Sequence, residues 1–285
     1  MPAFSNTPAR RAGLARRFDL TPRGSRRATL KPFARVGIYL SCDRISTVRR
    51  RFFVEQFAGQ SAVIEGETGH HLGRVLRAQQ GQLYELSHGM SVRLGRIETV
   101  ARDRIEFALL EEIPSAVPPV DITLLLSIVK FDAFEWAIEK ATELGVATIV
   151  PVAAARSEKA LLAAARNRAD RWRKILVEAS QQSRRVRVPG LAASLRPEQA
   201  FSKPQVGRKV MLSERSEAVA LRDVLADKPP AHATLAIGPE GGWTEEEVVA
   251  ATAAGFREAS LGKLILRTET AVIASLACLN YALGV

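Results

Sequence analysis

The stretch Ile237-Gly238-Pro239-Glu240-Gly241-Gly242-Trp243-Thr244 constrains the fold of this chain more than any other. Before it, Ala233-Thr234-Leu235-Ala236-Ile237 is a short apolar run of the kind that forms a buried strand. After it, Glu245-Glu246-Glu247-Val248-Val249-Ala250-Ala251 reads as a helix. Thr244 and Glu247, three residues apart, make a capping box. The three carboxylates sit where the partial positive charge of a helix N-terminus favours them. The loop in between holds three glycines, a proline and one carboxylate. Glycines there permit positive φ and let bare backbone N–H and C=O groups approach a ligand. Strand, glycine loop and helix in that order form a cofactor cradle of α/β proteins.

At 285 residues the chain is long enough for two domains with cores of their own. Its 47% hydrophobic and 25% charged residues are those of an ordinary globular protein. No apolar run approaches the ~18 residues of a membrane span, so a cytoplasmic protein without a membrane partner is expected. Cys42 and Cys278 lie far apart with no neighbours at metal-ligand spacing, and no metal site is expected. Cys278 falls in the apolar run from Ile273 to Leu279, which predicts a buried free thiol and a reducing compartment.

The formal net charge of +11 points to a polyanionic partner. Residues 1–48 hold ten Lys/Arg against Asp19 and Asp43, so +8 of that charge lies there and +3 on the remainder. This arm lacks periodicity and a secretory core. It is expected to be a disordered tail or an extended translation start, with an RNA-binding arm or an Arg-rich transit peptide as sharper alternatives.

From residue 49 to 112 the segments are short and β-like: Ser61–Ile64, Gln82–Leu86, Ser91–Ile97 and Arg104–Leu109, punctuated by Gly81, Gly89 and the turn at 101–103. One helical piece is expected over Thr68 to Ala78. A small β-barrel fits this pattern. Its Arg51, Arg74, Arg77, Arg93 and Arg96 are candidate RNA contacts. The adjacent His70 and His71 point to different sides of a helix and cannot share a metal.

The proline-rich segment 113–120 is the expected linker. Beyond it strands and helices alternate, which predicts a mostly parallel α/β sheet over 121–285. Asp121 to Val129 is an apolar strand. A helix capped by Asp132 carries Ala137, Ile138, Ala141 and Leu144 on one face and ends at Gly145. A strand follows at Val146–Val150, then a long helix over Lys159 to Ser183 striped by Leu161, Ala165, Ala169, Trp172, Leu176 and Ala179. Lys209–Glu214 is a further strand, with a helix over Ala218 to Leu225 after it. The last block, 259–271, reads as a strand and a glycine-containing loop before a closing helix. Three strand-end loops, Ser213–Glu214, Gly238–Gly242 and Leu261–Leu266, share one character.

The loops exclude the common nucleotide cradles. A phosphate loop requires Gly-Lys-Ser/Thr, whereas Gly241-Gly242 is followed by Trp243-Thr244. The glycine spacing is wrong for a dinucleotide fingerprint, and no G-x-S-x-G elbow occurs. A cofactor without a phosphate chain, held by backbone groups, remains.

Ile237-Gly238-Pro239-Glu240-Gly241-Gly242 with Thr244-Glu245-Glu246-Glu247, then Leu261-Gly262 and Ile265-Leu266-Arg267-Thr268-Glu269-Thr270-Ala271, closely resembles the SPOUT superfamily. More narrowly, the chain resembles the bacterial 16S ribosomal RNA (uracil-N3)-methyltransferase family. Arg51-Phe52-Phe53-Val54, Val75-Leu76-Arg77, Lys140–Val146 and Gln182-Ser183-Arg184 with Val188-Pro189 also match, so the likeness covers about residues 49–285. The family often has Arg where Leu264 stands and Glu-Gln at 181–182, and the arm 1–48 has no counterpart.

The resemblance implies a PUA-like RNA-binding barrel at 49–112 and a trefoil-knotted SPOUT domain at 121–285. It implies a homodimer, S-adenosyl-L-methionine as methyl donor, and a uridine of 16S ribosomal RNA in the small ribosomal subunit as substrate. Carried onto this sequence, the cofactor would be held by Leu212, Ser213, Glu214, Gly238, Pro239, Glu240, Gly241, Gly242, Leu261, Gly262, Ile265, Leu266, Thr270 and Ala271. RNA would meet Arg51, Arg74, Arg77, Arg156 and Arg184. Methylation at N3 needs a base for the imino proton and a cation for the resulting anion. Glu269 and Arg267 are the expected pair, with Glu240 the alternative base and a purely structural role at the helix start the plainer reading. A methylase of another RNA position, or a non-catalytic RNA-binding protein, is the alternative.

Overall fold

The computed structural model describes residues 50–283 apart from 116–117, 119, 204–206 and 227–229. The arm 1–48 with Cys42, and part of the 113–120 linker, lie outside the described residues.

Five strands come first: β1 (Arg51–Phe53), β2 (Ser61–Glu65), β3 (Leu83–Ser87), β4 (Val92–Val100) and β5 (Arg104–Ile113). They form one sheet in the order β1-β3-β4-β5-β2, antiparallel except for the β1–β3 pair. Strand alternation brings Ala62, Ile64, Ile97, Ile105, Phe107 and Leu109 into one core with Phe52, Leu72 and Leu86. A Cβ at Gly95 would lie 2.5 Å from Leu86 Cδ1, so β4 carries glycine where β3 packs closest. The β4–β5 register shifts twice, and such irregularities bend a sheet. The helical piece begins earlier than the sequence suggests, as α1 (Gly66–His70), and continues in a π-helical turn over His71–Val75.

The second half alternates strands and helices as the sequence predicts: β6 (Asp121–Ser127), α2 (Phe131–Glu143), β7 (Thr148–Val152), α3 (Lys159–Ala165), α4 (Ala169–Gln182), β8 (Gly190–Leu191), α5 (Pro197–Ser202), β9 (Arg208–Leu212), β10 (Val219–Ala220), α6 (Leu221–Val224), β11 (His232–Ile237), α7 (Glu245–Ala253), β12 (Arg257–Ser260) and α8 (Thr268–Leu283). The seven strands pair in parallel in the order β10-β12-β9-β11-β6-β7-β8. Both faces are covered, which explains the near-continuous apolar character of β6 and β11. On one face Leu124, Leu126, Val210, Leu235 and Ile237 meet Phe134, Ile138, Trp172, Leu176, Val272 and Leu276 of α2, α4 and α8. On the other, Leu125, Met211 and Ala236 meet Phe201, Trp243, Val248 and Phe256 around α5 and α7.

Several boundaries differ from expectation. Asp132 does not cap α2: Lys130 occupies that position without a side-chain cap bond, and Asp132 supplies charge to the first turn. The long helix is broken by a 3-10 turn at Arg166–Arg168, although Ala165, Trp172, Leu176 and Ala179 of its stripe are buried. Residues 219–220 form an edge strand, leaving α6 only four residues. Cys278, expected in the core, is exposed. Helix α8 is apolar on every side, so the pattern in the sequence could not tell its inward face from its outward one. Among the described residues no helix is long and apolar enough to cross a membrane.

The two sheets are joined by specific bonds. Arg51 donates to both the Glu85 carboxylate, at 2.9–3.0 Å, and the carbonyl of Arg184. Ser87 Oγ donates to the Val186 carbonyl, and Lys174 Nζ of α4 donates to Glu67 of α1 at 2.7 Å.

Candidate functional site

The C-terminal ends of β9, β11 and β12 lie side by side in the sheet, so the loops that leave them converge. They enclose a cleft. Leu212, Ser213 and Glu214 form one wall, Gly238, Pro239, Glu240 and Gly242 the second, and Leu261, Gly262, Ile265, Leu266 and Ala271 the third.

The glycine loop is held by contacts that its residue types make possible. A Cβ at Gly238 would stand 3.1–3.2 Å from the indole of Trp243, whose Nε1 donates to the Leu212 carbonyl at 3.1 Å. Gly238 therefore lets the second loop lie flat against the ring that bonds the first. Gly242 adopts φ +68°, and a Cβ there would approach Glu214 Oε1 to 2.5 Å. That positive φ is the condition that favours glycine at 242. Thr268 Oγ1 donates to the Gly238 carbonyl at 3.2 Å and ties the third loop to the second.

The predicted capping box is present, and it does more than cap. Thr244 Oγ1 accepts from Glu247 N at 3.3 Å, and Glu247 Oε2 accepts from Thr244 N at 2.8 Å. The other carboxylate oxygen, Glu247 Oε1, accepts from Ala155 N at 2.8 Å. Arg156 Nη1 in turn donates to the Gly241 carbonyl at 2.6 Å. The segment after β7 thus clasps the glycine loop from behind. Glu246 in the same first turn is held below the usual carboxylate range, first by its own backbone N–H and then by the Thr244 hydroxyl.

The cleft's chemistry tests the expected cofactor. Among the described residues its ionisable lining groups are Glu214 and Glu240, and no Lys or Arg lines it. Carboxylates, backbone groups and apolar side chains suit a sulfonium- and ammonium-bearing nucleoside, and they do not suit a phosphate chain. Gly241 and Thr270 depart from expectation. Gly241 turns its α-carbon toward the Arg156 side chain, 3.4 Å from an ideal Cβ, and Thr270 lies exposed on α8 outside the lining. Ile237, Trp243, Ser260, Leu264 and Thr268 line the cleft but escape the sequence reading. A lone Trp beside a double glycine was the available signal for Trp243.

Arg267 is exposed between the lining residues Leu266 and Thr268. Glu269 sits in the first turn of α8, where a carboxylate suits the helix N-terminus, and does not line the cleft. Beside the cleft, Arg215 faces Glu245 at 2.9 Å and Glu217 and Glu258 at 3.6 Å. Burial pulls its guanidinium down, but these three carboxylates outweigh that and hold it above its ordinary value.

The expected RNA arginines have different fates. Arg51 is 5% exposed, with its guanidinium committed to Glu85 and to the Arg184 carbonyl, so it acts as a strut between the sheets. Burial is legible only once both partners are placed, because they lie 34 and 133 residues away. Arg74 and Arg77 are exposed beside the first sheet, Arg77 at φ +51°. Arg184, at φ +55°, presents an exposed side chain 3.7 Å from Glu85. Neighbouring Arg185 donates to the Thr142 carbonyl at 2.7 Å, and burial, with Arg187 adding to it, pulls its guanidinium down to about 10. His70 and His71 are exposed, and no metal-holding cluster occurs among the described residues.

Comparison with known proteins agrees with this geometry. Residues 116–280 match the family model of an RNA methyltransferase domain. The chain is 34% identical over 216 residues to the Ribosomal RNA small subunit methyltransferase E of Synechocystis sp., covering 74% of this chain and 70% of that protein. It is 30% identical over 246 residues to the protein of the same name from Bacillus subtilis, covering 81% and 96%. A crystal structure of Ribosomal RNA small subunit methyltransferase E from Neisseria gonorrhoeae bound to S-adenosyl methionine superposes with a TM-score of 0.75 at 32% identity, covering 81% of this chain and 97% of that one.

Proposed function

This chain belongs to the RNA methyltransferase family, among the small-subunit ribosomal RNA methyltransferases E, and we propose that it methylates N3 of a uridine in 16S ribosomal RNA with S-adenosylmethionine as donor. The observation that carries the reading is the cleft: three strand-end loops, two carboxylates, no cationic lining side chain among the described residues, and a glycine wall pressed onto Trp243. S-adenosylmethionine supplies an electrophilic methyl group on a sulfonium. Leu212, Gly238, Pro239, Gly242, Leu261, Gly262, Leu266 and Ala271 would hold it by backbone and apolar contact, with Glu240 facing its polar groups. The chain's part in catalysis is then largely to position the acceptor and exclude water. Arg267, exposed at the rim, supplies positive charge to the incoming RNA.

Three finer features belong to the same reading. The path of the chain supports a trefoil knot over 121–285. β12 pairs on the far side of β9, yet the following helix α8 packs against α2 and β11, so the chain re-enters past β9. Such threading is rare and calls for a specific cause, here the closing of the third cofactor loop. The bent five-stranded sheet supports a PUA-like RNA-binding barrel at 49–112, with 113–120 as its linker and Arg74, Arg77 and Arg184 as RNA contacts. The outward face of α8, with Ala277, Cys278 and the 91% exposed Tyr281, supports a homodimer in which a second copy covers that apolar stripe.

The test is nucleoside mass spectrometry of small ribosomal subunits incubated with the purified protein and labelled S-adenosylmethionine. One new 3-methyluridine is expected. Label on a ribose or on another base would assign a different position, and RNA binding without any label would make the protein a non-catalytic binder.

A further inference from the structure

A second, open cavity abuts the cofactor cleft and shares Glu214, Ser260, Gly262, Leu264 and Ile265 with it. Its remaining lining includes Arg215, Ser216 and Lys263. We propose that this cavity receives the target uracil, with Glu214 taking the N3 proton and Lys263 meeting the anion that forms. The inference rests on the methyltransferase reading above and deepens it.

Position comes first. A methyl acceptor must come within van der Waals reach of the donor carbon, so its pocket must share a wall with the donor's cleft. Glu214 stands in that wall: its carboxylate lies against Gly242 of the cofactor loop and also lines the second cavity. Among the described residues it makes no hydrogen bond or ion pair, in contrast to Glu245, Glu247 and Glu258 nearby, each of which faces a partner. Arg215 is occupied by Glu217, Glu245 and Glu258, so among the described residues Lys263 is the uncommitted cation of the cavity.

Edge chemistry comes second. The pairing edge of uracil presents an N–H between two carbonyl oxygens, so a complementary site offers an acceptor flanked by donors. Glu214 is that acceptor, and Lys263 and the Ser216 hydroxyl are donors. Leu264 and Ile265 are 82% and 83% exposed on the loop between the two cavities and offer apolar surface to the base. In the step, Glu214 accepts the N3 proton, the N3 electron pair forms the bond to the methyl carbon, and the carbon–sulfur bond breaks with its electrons passing to a neutral thioether. Negative charge on the uracil oxygens before transfer is balanced by Lys263.

The experiment compares wild type, Glu214→Gln and Lys263→Met in single-turnover methylation of unmethylated small subunits at saturating S-adenosylmethionine, across pH. Cofactor affinity is measured in parallel by calorimetry. Each variant is expected to lose about 10²-fold or more in rate. Lys263→Met should keep the wild-type cofactor affinity. Raising the pH should restore Glu214→Gln toward the wild-type rate, because uracil ionised by solvent no longer needs the carboxylate. Independently of turnover, photo-cross-linking of 4-thiouridine-substituted RNA should label the loop Ser260–Arg267. Variant rates within about threefold of wild type, or cross-links confined to other segments, would overturn the assignment while leaving the methyltransferase reading intact. A wild-type protein that methylates no uracil would remove that reading and this inference with it.

Discussion

Replacing Glu247 by alanine is the sharpest test of how the cofactor loop is built. The residue is 4% exposed, and its carboxylate accepts one 2.8 Å bond from Ala155 N and another from Thr244 N, joining segments 92 residues apart. Hydrogen bonds to a charged group contribute about 1.5–3 kcal/mol each, and the lower end applies because Ala155 and Thr244 are accessible enough for water to replace part of the loss. Two such bonds put the destabilisation at roughly 3 kcal/mol, and for a chain of this size that corresponds to a fall in melting temperature of about 6–12 °C. Glu247→Gln retains one acceptor but turns an amide N–H toward the other donor, so it should fall between. Urea denaturation should show a lower midpoint at unchanged slope. Because Gly241 hangs from the neighbouring Arg156, calorimetry on the folded variant should also show about tenfold weaker S-adenosylmethionine binding, or about 1.4 kcal/mol. A Glu247→Ala protein within about 0.5 kcal/mol of wild type would refute the claim that this carboxylate fastens the loop.

Other perturbations probe other links. Gly238→Ala pushes a methyl group onto the Trp243 indole and should weaken cofactor binding by about tenfold, roughly 1.4 kcal/mol, with little change in melting temperature; an unchanged calorimetric Kd would contradict it. Arg51→Ala takes the nearest cation from the buried Glu85 carboxylate, leaving Arg184 at 3.7 Å, and should cost about 3 kcal/mol in urea denaturation, the low end for a broken buried pair, while Arg51→Met combined with Glu85→Leu should recover most of it. The Glu67–Lys174 contact is exposed, and the Lys174 hydrogen bond holds Glu67 below the usual carboxylate range. A depressed carboxylate adds stability above its unfolded pKa, near 4.3, and loses it as the pH falls through the folded value. Limited proteolysis between the two sheets should thus be alike for wild type and Glu67→Gln below that window and diverge above it, with the difference shrinking in high salt.

The parts legible in the sequence are those fixed within a few residues. The strand before Gly238, the turn chemistry of Gly241 and Gly242, the box of Thr244 and Glu247 and the alternation of strands and helices are all local. Local backbone sterics and hydrophobic period decide them. Most of the cleft wall could be named because it follows directly from strand ends. What lay beyond reach was decided by contacts between distant segments. Glu247 reaches Ala155, Thr268 reaches Gly238, and Trp243 bonds Leu212, none of which any spacing encodes. The same holds for the failures. Arg51 reads as a surface cation until Glu85 and Arg184 close over it, and Cys278 reads as core because α8 is apolar on all sides. Sequence by itself determined the alternation of strands and helices and that a glycine cradle follows β11. Only the tertiary structure decided which charges are buried, which stay free, and that Glu214 stands between two cavities, because those depend on the packing of the whole chain.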